Sequence, residues 1–153
     1  MSTLRLAELN AAYAATIDQD RLEAWPDFFT EDCLYKITSA DNHRAGYQAG
    51  IVYADSQAML RDRITALRTA NIYERQSYRH IIGLPLVTSQ NDGVIEAETP
   101  FLVARILRGA QTDLFASGVY LDRLRETPAG LRFAQRIVVC DSSHFDTLLA
   151  IPL

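Results

Sequence analysis

Between Glu23 and Tyr35 the chain runs Glu-Ala-Trp-Pro-Asp-Phe-Phe-Thr-Glu-Asp-Cys-Leu-Tyr, with four aromatic residues in thirteen positions. Trp25, Phe28 and Phe29 fall at spacings that share one helical face, whereas Leu34, Tyr35 and Ile37 read as a strand. The polar Thr30-Glu31-Asp32 between them marks the change of direction. Aromatic side chains carry a large burial free energy, so this stretch predicts a knot of core residues where a helix meets a sheet.

Upstream, Leu6, Leu9, Tyr13 and Ile17 recur at i, i+3, i+7 and i+11, a helical stripe with alanines between that permit close packing. Asp18-Gln19-Asp20 stops that helix. Asp20 is expected to cap the next one, with Glu23 completing a capping box, and Pro26 is expected to distort it. Cys33–Thr38 reads as the first strand and Ser39–Gly50 as a polar loop containing His43. Asp55 is expected to cap a third helix, in which Met59, Leu60, Ile64 and Leu67 alternate with a solvated face bearing Arg61, Arg63 and Arg68.

From Tyr78 the period changes to two. Tyr78–Val87 reads as a strand broken at Gly83 and Pro85, and Asn91-Asp92-Gly93 as a turn. Val94–Leu107 is a long strand in which Pro100 implies a bulge or an edge. Thr112–Arg125 follows, then the turn Thr127-Pro-Ala-Gly130 and a last strand from Leu131 to about Ser142. Strict alternation there puts Leu131, Phe133, Gln135, Ile137 and Val139 on one face, and Arg132, Ala134, Arg136, Val138 and Cys140 on the other. Helices first and antiparallel strands after them indicate an α+β fold: a curved, mainly antiparallel sheet wrapped as a cone around three helices, one domain over residues 1–153. The tail Leu148–Leu153 carries no side-chain charge, so it needs cover, and an oligomer interface is the expected supplier.

With 153 residues the chain can bury a core without disulfides. A net charge of −4 offers no basic stripe for nucleic acid, and no apolar run is long enough to suggest a membrane span. The N-terminus lacks a signal-like segment, so a cytoplasmic protein is expected, with Cys33 and Cys140 as reduced core residues. His43, His80 and His144 fall in no metal-ligand spacing, and no cysteine–histidine pairs for a Rieske cluster are present. Asp141-Ser-Ser-His144 has the residue types of a hydrolytic triad, but sequence neighbours rarely converge that way. No catalytic, metal or cofactor-binding residue is therefore assigned. The competing reading is a stand-alone dehydratase or isomerase that uses His80, Asp32 and Tyr35 as an acid–base set inside the cone.

The pattern Asp20 … Trp25-x-x-Phe28-Phe29-Thr-x-Asp32-Cys-x-Tyr35 resembles the opening of the small (beta) subunits of Rieske aromatic-ring-hydroxylating dioxygenases, within the nuclear-transport-factor-2-like cone fold. Arg79-His80 resembles that family's Arg-His signature. Phe115-Ala-Ser-Gly118-Val-Tyr120 and Leu131–Asp141 fall where its late strands should. Ala11–Asp18, Trp25-Pro26, Ala54–Gln57 and Asn71–Arg75 are most similar to its terephthalate-acting branch, with anthranilate and salicylate types next. Ser77 and Leu84 depart from the Arg and Asn often found in members.

The resemblance implies a non-catalytic subunit that assembles with a large subunit as three plus three chains (α3β3) around a homotrimer of this chain. The [2Fe-2S] Rieske cluster and the mononuclear Fe(II) would lie in that large subunit. NADH would supply electrons through a separate reductase for dihydroxylation of an aromatic carboxylate. Arg79 and His80, with Leu153 of the apolar tail, are the candidate subunit-interface residues.

Overall fold

The computed structural model describes residues 3–48, 50–70, 76–107, 111–145, 149 and 151–153. The Asn71–Arg75 segment, Gly109 and parts of the tail lie outside the described residues. The first helix, α1 (Thr3–Asp18), buries Leu6, Tyr13 and Ile17 of the expected stripe, and Asn10 with them. Its end is set by Asp20, which adopts a left-handed φ of 60°. That conformation is not the extended one an N-cap needs, and no side chain caps the following helix. The expected Asp20–Glu23 capping box is therefore absent. Both carboxylates instead receive Arg68 from the third helix.

Leu22–Phe28 forms a 3-10 helix with Pro26 inside it, the tighter form expected where proline removes an i→i−4 donor. Strand β1 (Phe29–Ser39) follows without a gap and starts earlier than expected, at Phe29. Thr30–Asp32 belong to it as an irregularity, because Phe29 pairs with Phe133 while Leu34 already pairs with Gln135. The aromatic knot is as predicted. Trp25, Phe29 and Tyr35 are buried and meet edge to face, with ring centroids 5.0–5.7 Å apart.

The polar loop contains a short helix, α2 (Ala40–Arg44), capped by Ser39, and beyond the loop a short strand, β2 (Val52–Ala54), pairs with β1. Helix α3 (Gln57–Ala70) is capped by Ser56, whose Oγ accepts the Met59 N–H, and not by Asp55. Its arginines are fastened: Arg61 to Asp27, Arg68 to Asp20 and Glu23, Arg63 to the Leu149 carbonyl.

Strands β3 (Gln76–Ile82), β4 (Leu86–Asn91), β5 (Val94–Leu107), β6 (Gln111–Thr127) and β7 (Gly130–Cys140) complete a seven-stranded sheet of order β2-β1-β7-β6-β5-β3, with β4 also on β5. All pairs are antiparallel except β1–β7. Asp92 and Gly93 both have positive φ in the two-residue turn before β5. Pro100 marks a local edge and not a bulge. It sits where β5 changes neighbour, after its pairing with β4 ends at Glu98 and before its pairing with β3 begins at Phe101, so no ladder donor is missed on that side.

Two bulges elsewhere decide which residues face the core. Phe115 is the extra residue of β6 opposite Val103 and Ala104, and Ala134 is the extra residue of β7 opposite Arg123 and Leu124. The second overturns the strict alternation expected for β7. Leu131 and Phe133 are buried before it, and Arg136, Val138 and Cys140 after it. Close strand approach explains Gly118, where a Cβ would stand 1.9 Å from the Val139 carbonyl oxygen. Gly118→Ala is expected to lower stability by about 1–3 kcal/mol, because the backbone of β7 must move to admit one methyl; urea unfolding measures it.

Candidate functional site

The most polar part of the interior is built on Arg136, which the Ala134 bulge turns inward and which is 0% exposed. Asp122 lies directly across on β6. Arg136 Nε and Nη2 donate to its two carboxylate oxygens at 2.8 and 2.7 Å, a fork-to-fork pair. Nη2 also donates to Asn10 Oδ1 of α1 at 2.6 Å, and Asn10 Nδ2 to Thr99 Oγ1 of β5 at 3.4 Å. The guanidinium lies over three rings, 3.9 Å from the centroids of Tyr120 and Phe133 and 4.4 Å from that of Tyr13. One helix and three strands are thus tied at a single point.

Burial pushes the Asp122 carboxyl above its ordinary range, and Arg136's charge and hydrogen bonds pull it back only in part. Burial likewise works against the Arg136 cation, but Asp122 outweighs it and holds the guanidinium above its ordinary value. Removing one partner leaves a buried unpaired charge. Asp122→Asn is therefore expected to cost about 3–5 kcal/mol, whereas the double change Asp122→Leu with Arg136→Met costs far less; denaturant unfolding of the set measures both.

A second cluster holds the tail. Tyr13 and Tyr35 donate their hydroxyls to the Leu153 main-chain oxygen at 2.8 and 2.9 Å, and Leu153 N–H donates back to Tyr35 Oη at 3.1 Å. Burial raises all three interior tyrosines, Tyr13, Tyr35 and Tyr120, so each stays a neutral phenol. Leu149, Ile151 and Leu153 are buried within this chain. The cover expected from another subunit is supplied here by the chain's own tyrosines.

His80 is held by Asp18 at the end of α1. One carboxylate oxygen accepts the His80 backbone N–H at 2.8 Å, and the other lies 2.7 Å from Nδ1. A carboxylate only accepts, so the proton of this bond sits on Nδ1. Nε2 is buried without a hydrogen-bond partner. Arg79, the next residue back, points to the opposite, solvent-facing side of β3.

His80, Asp32 and Tyr35 do not come together as an acid–base set. Asp32 is exposed beside Thr30 and Arg125, Tyr35 binds Leu153, and His80 binds Asp18. The residues of Asp141-Ser-Ser-His144 also diverge, Asp141 accepting from Ser117 and Ser143 donating to Asp41. Among the described residues no group of three or more His, Cys, Asp and Glu could hold a metal ion. Trp25, Phe29, Tyr35, Tyr120, Phe133 and Arg136 are among the largest fully buried side chains and pack the interior of the cone.

Arg136, Asp122 and Asn10 escaped the sequence reading. The available signal was an opposite charge pair in mid-strand, on two strands joined by a short turn. Strict alternation hid it, since without the bulge Asp122 would face Gln135.

Cys33 and Cys140 are free and buried. Burial raises their thiols to about 11 and about 12. A raised folded value stabilises the fold below the ordinary thiol pKa, and that contribution is lost as pH rises through 11 to 12. At pH 8 neither thiol is expected to react with a disulfide reagent until denaturant is added, when both do; absorbance of the released thiolate reports it.

Set beside known proteins, this geometry has a clear kinship. Residues 12–147 match the model of the ring hydroxylating beta subunit family. The chain belongs to that family. It is 54% identical, over its whole length and 99% of the relative, to the terephthalate 1,2-dioxygenase terminal oxygenase component subunit beta 1 of Comamonas sp. It is 41% identical, over 95% of this chain and 90% of the relative, to the anthranilate 1,2-dioxygenase small subunit of Burkholderia cepacia. A crystal structure of a beta subunit assigned to an aromatic-ring-hydroxylating dioxygenase of Novosphingobium aromaticivorans superposes with a TM-score of 0.88. The identity is 34%, over 97% of this chain and 94% of that one.

Proposed function

We propose that this chain is the small, non-catalytic subunit of a Rieske non-haem iron dioxygenase that dihydroxylates an aromatic carboxylate, terephthalate before anthranilate or salicylate. The observation that carries the non-catalytic role is the filled cone: its interior holds the Arg136–Asp122 pair and its rings, and His80, Asp32 and Tyr35 are each engaged elsewhere. The substrate class rests on the 54% identity to a terephthalate dioxygenase subunit along the whole chain.

In this reading residues 1–153 act as one domain in the cytoplasm, and three copies form a base for three large subunits. The large subunits hold the Rieske cluster and the mononuclear iron, and a separate reductase feeds them from NADH. Among the described residues no group of His, Cys, Asp and Glu is gathered that could hold either metal centre. Arg79 meets a neighbouring subunit directly. His80 and Leu153, both enclosed, act from behind by holding β3 and the tail in place.

Co-expression with the large subunit encoded beside it is expected to yield an assembly of about three plus three chains by native mass, coloured by iron only when that partner is present. Tyr35→Phe in this assembly is expected to leave turnover unchanged. A colourless oligomer that ignores the partner, or a loss of about a hundredfold in an intact Tyr35→Phe complex, overturns the proposal.

A further inference from the structure

Between α1, the 3-10 helix and the start of β7 lies an open groove of about 370 Å³, a volume that admits a small molecule. Ala12 and Ala15 of α1 and Ala24 of the 3-10 helix give it an apolar floor, and Phe28 adds a ring. That ring is held edge to face by Tyr13, with centroids 5.6 Å apart. None of the buried Arg136–Asp122 pair lines this groove.

Two guanidiniums border the floor, Arg21 ahead of the 3-10 helix and Arg132 on β7. Both direct their hydrogen bonds to neutral acceptors. Arg21 Nε donates to Gln19 Oε1 at 3.1 Å, and Arg132 to the Leu131 and Ala129 carbonyls at 2.8 and 3.0 Å. The carboxylate that lines the groove, Asp27, is taken by Arg61 at 2.7 Å. Arg132 also stands directly opposite Arg125 of β6, which reaches Asp32 only at 3.8 Å. Like charges facing each other across a strand pair are unfavourable. In a chain of net charge −4, this is a local excess of cation beside an apolar surface.

The two features together select a ligand. A carboxylate answers a guanidinium with two parallel hydrogen bonds, and a flat ring covers an alanine floor without freezing rotamers. We infer that this groove binds a small aromatic carboxylate, with its ring on Ala12, Ala15, Ala24 and Phe28 and its charge on Arg21 and Arg132. The ligand class is that of the proposed substrate, but binding here needs only this chain.

Benzoate titrated into the isolated chain tests it, read by broadening of the benzoate ring protons and by the thermal midpoint. Saturable binding with a dissociation constant of about 1 mM is expected, together with a midpoint that rises with benzoate. Acetate lacks the ring and benzamide the charge, so each is expected to bind at least about tenfold more weakly. Arg21→Gln and Arg132→Gln are each expected to weaken benzoate about fivefold or more. Ala12→Leu places a good helix former on the exposed side of α1 and fills the floor, so it is expected to abolish binding. Circular dichroism of each variant verifies the fold.

If folded wild type shows no saturable binding, or if both arginine variants bind benzoate as wild type does, the inference fails while the subunit reading stands. If acetate and inorganic phosphate bind as well as benzoate, the groove is a general anion site and the aromatic class is wrong. If benzoate is ignored and Arg132→Gln blocks union with the large subunit, the groove is a protein contact and the inference fails.

Discussion

The pairing of Arg136 with Asp122 is the constraint around which the interior is arranged. A cation and an anion removed from water cost several kcal/mol each unless geometry repays it. Here repayment comes from a two-point hydrogen bond, a third bond to Asn10, and three aromatic rings around the guanidinium. Those partners come from α1, β6 and β7, and Asn10 extends the network to Thr99 of β5. Such a pair adds little net stability over an apolar substitute of the same volume. It penalises any register that separates its members, and so it selects this packing over others the same apolar pattern would allow.

How much of this was legible follows from where the information sits. The bounds of β5 and the stripe of α1 are local, written in periodicity, and were read correctly. The aromatic knot was also local. The bulges are not. Whether Ala134 is an extra residue depends on what β6 offers opposite it, and a one-residue slip exchanges every later side chain between faces. That slip hid Arg136. Capping failed for a related reason: Asp20 and Asp55 have suitable side chains, but the backbone gave Asp20 a left-handed turn and left the capping of α3 to Ser56. Asp18 was read only as a helix stop, yet it anchors His80 from 62 positions away.

The filled interior also bears on what a cone of this kind can be used for. The fold can host an acid–base site where strands and helices diverge, and fold alone does not decide whether it does. In this chain Arg136, Asp122 and Asn10 are bonded to one another, and the hydroxyls of Tyr13 and Tyr35 are committed to the tail. Rigidity is what such an arrangement supplies, and rigidity suits a platform on which other subunits are held in register.

The parallel pairing of β1 with β7 carries a kinetic meaning. Phe29 and Ser39 find their partners at Phe133 and Cys140, about a hundred residues later. The antiparallel hairpins of β4 through β7 need only short loops to close, whereas joining β1 to β7 closes most of the chain. That entropy must be met before any contact between the two strands repays it. The aromatic knot therefore has no wall to lean on until the last strand exists. On the ribosome the helices that pack on β1 must wait, exposed, for residues made about a hundred positions later.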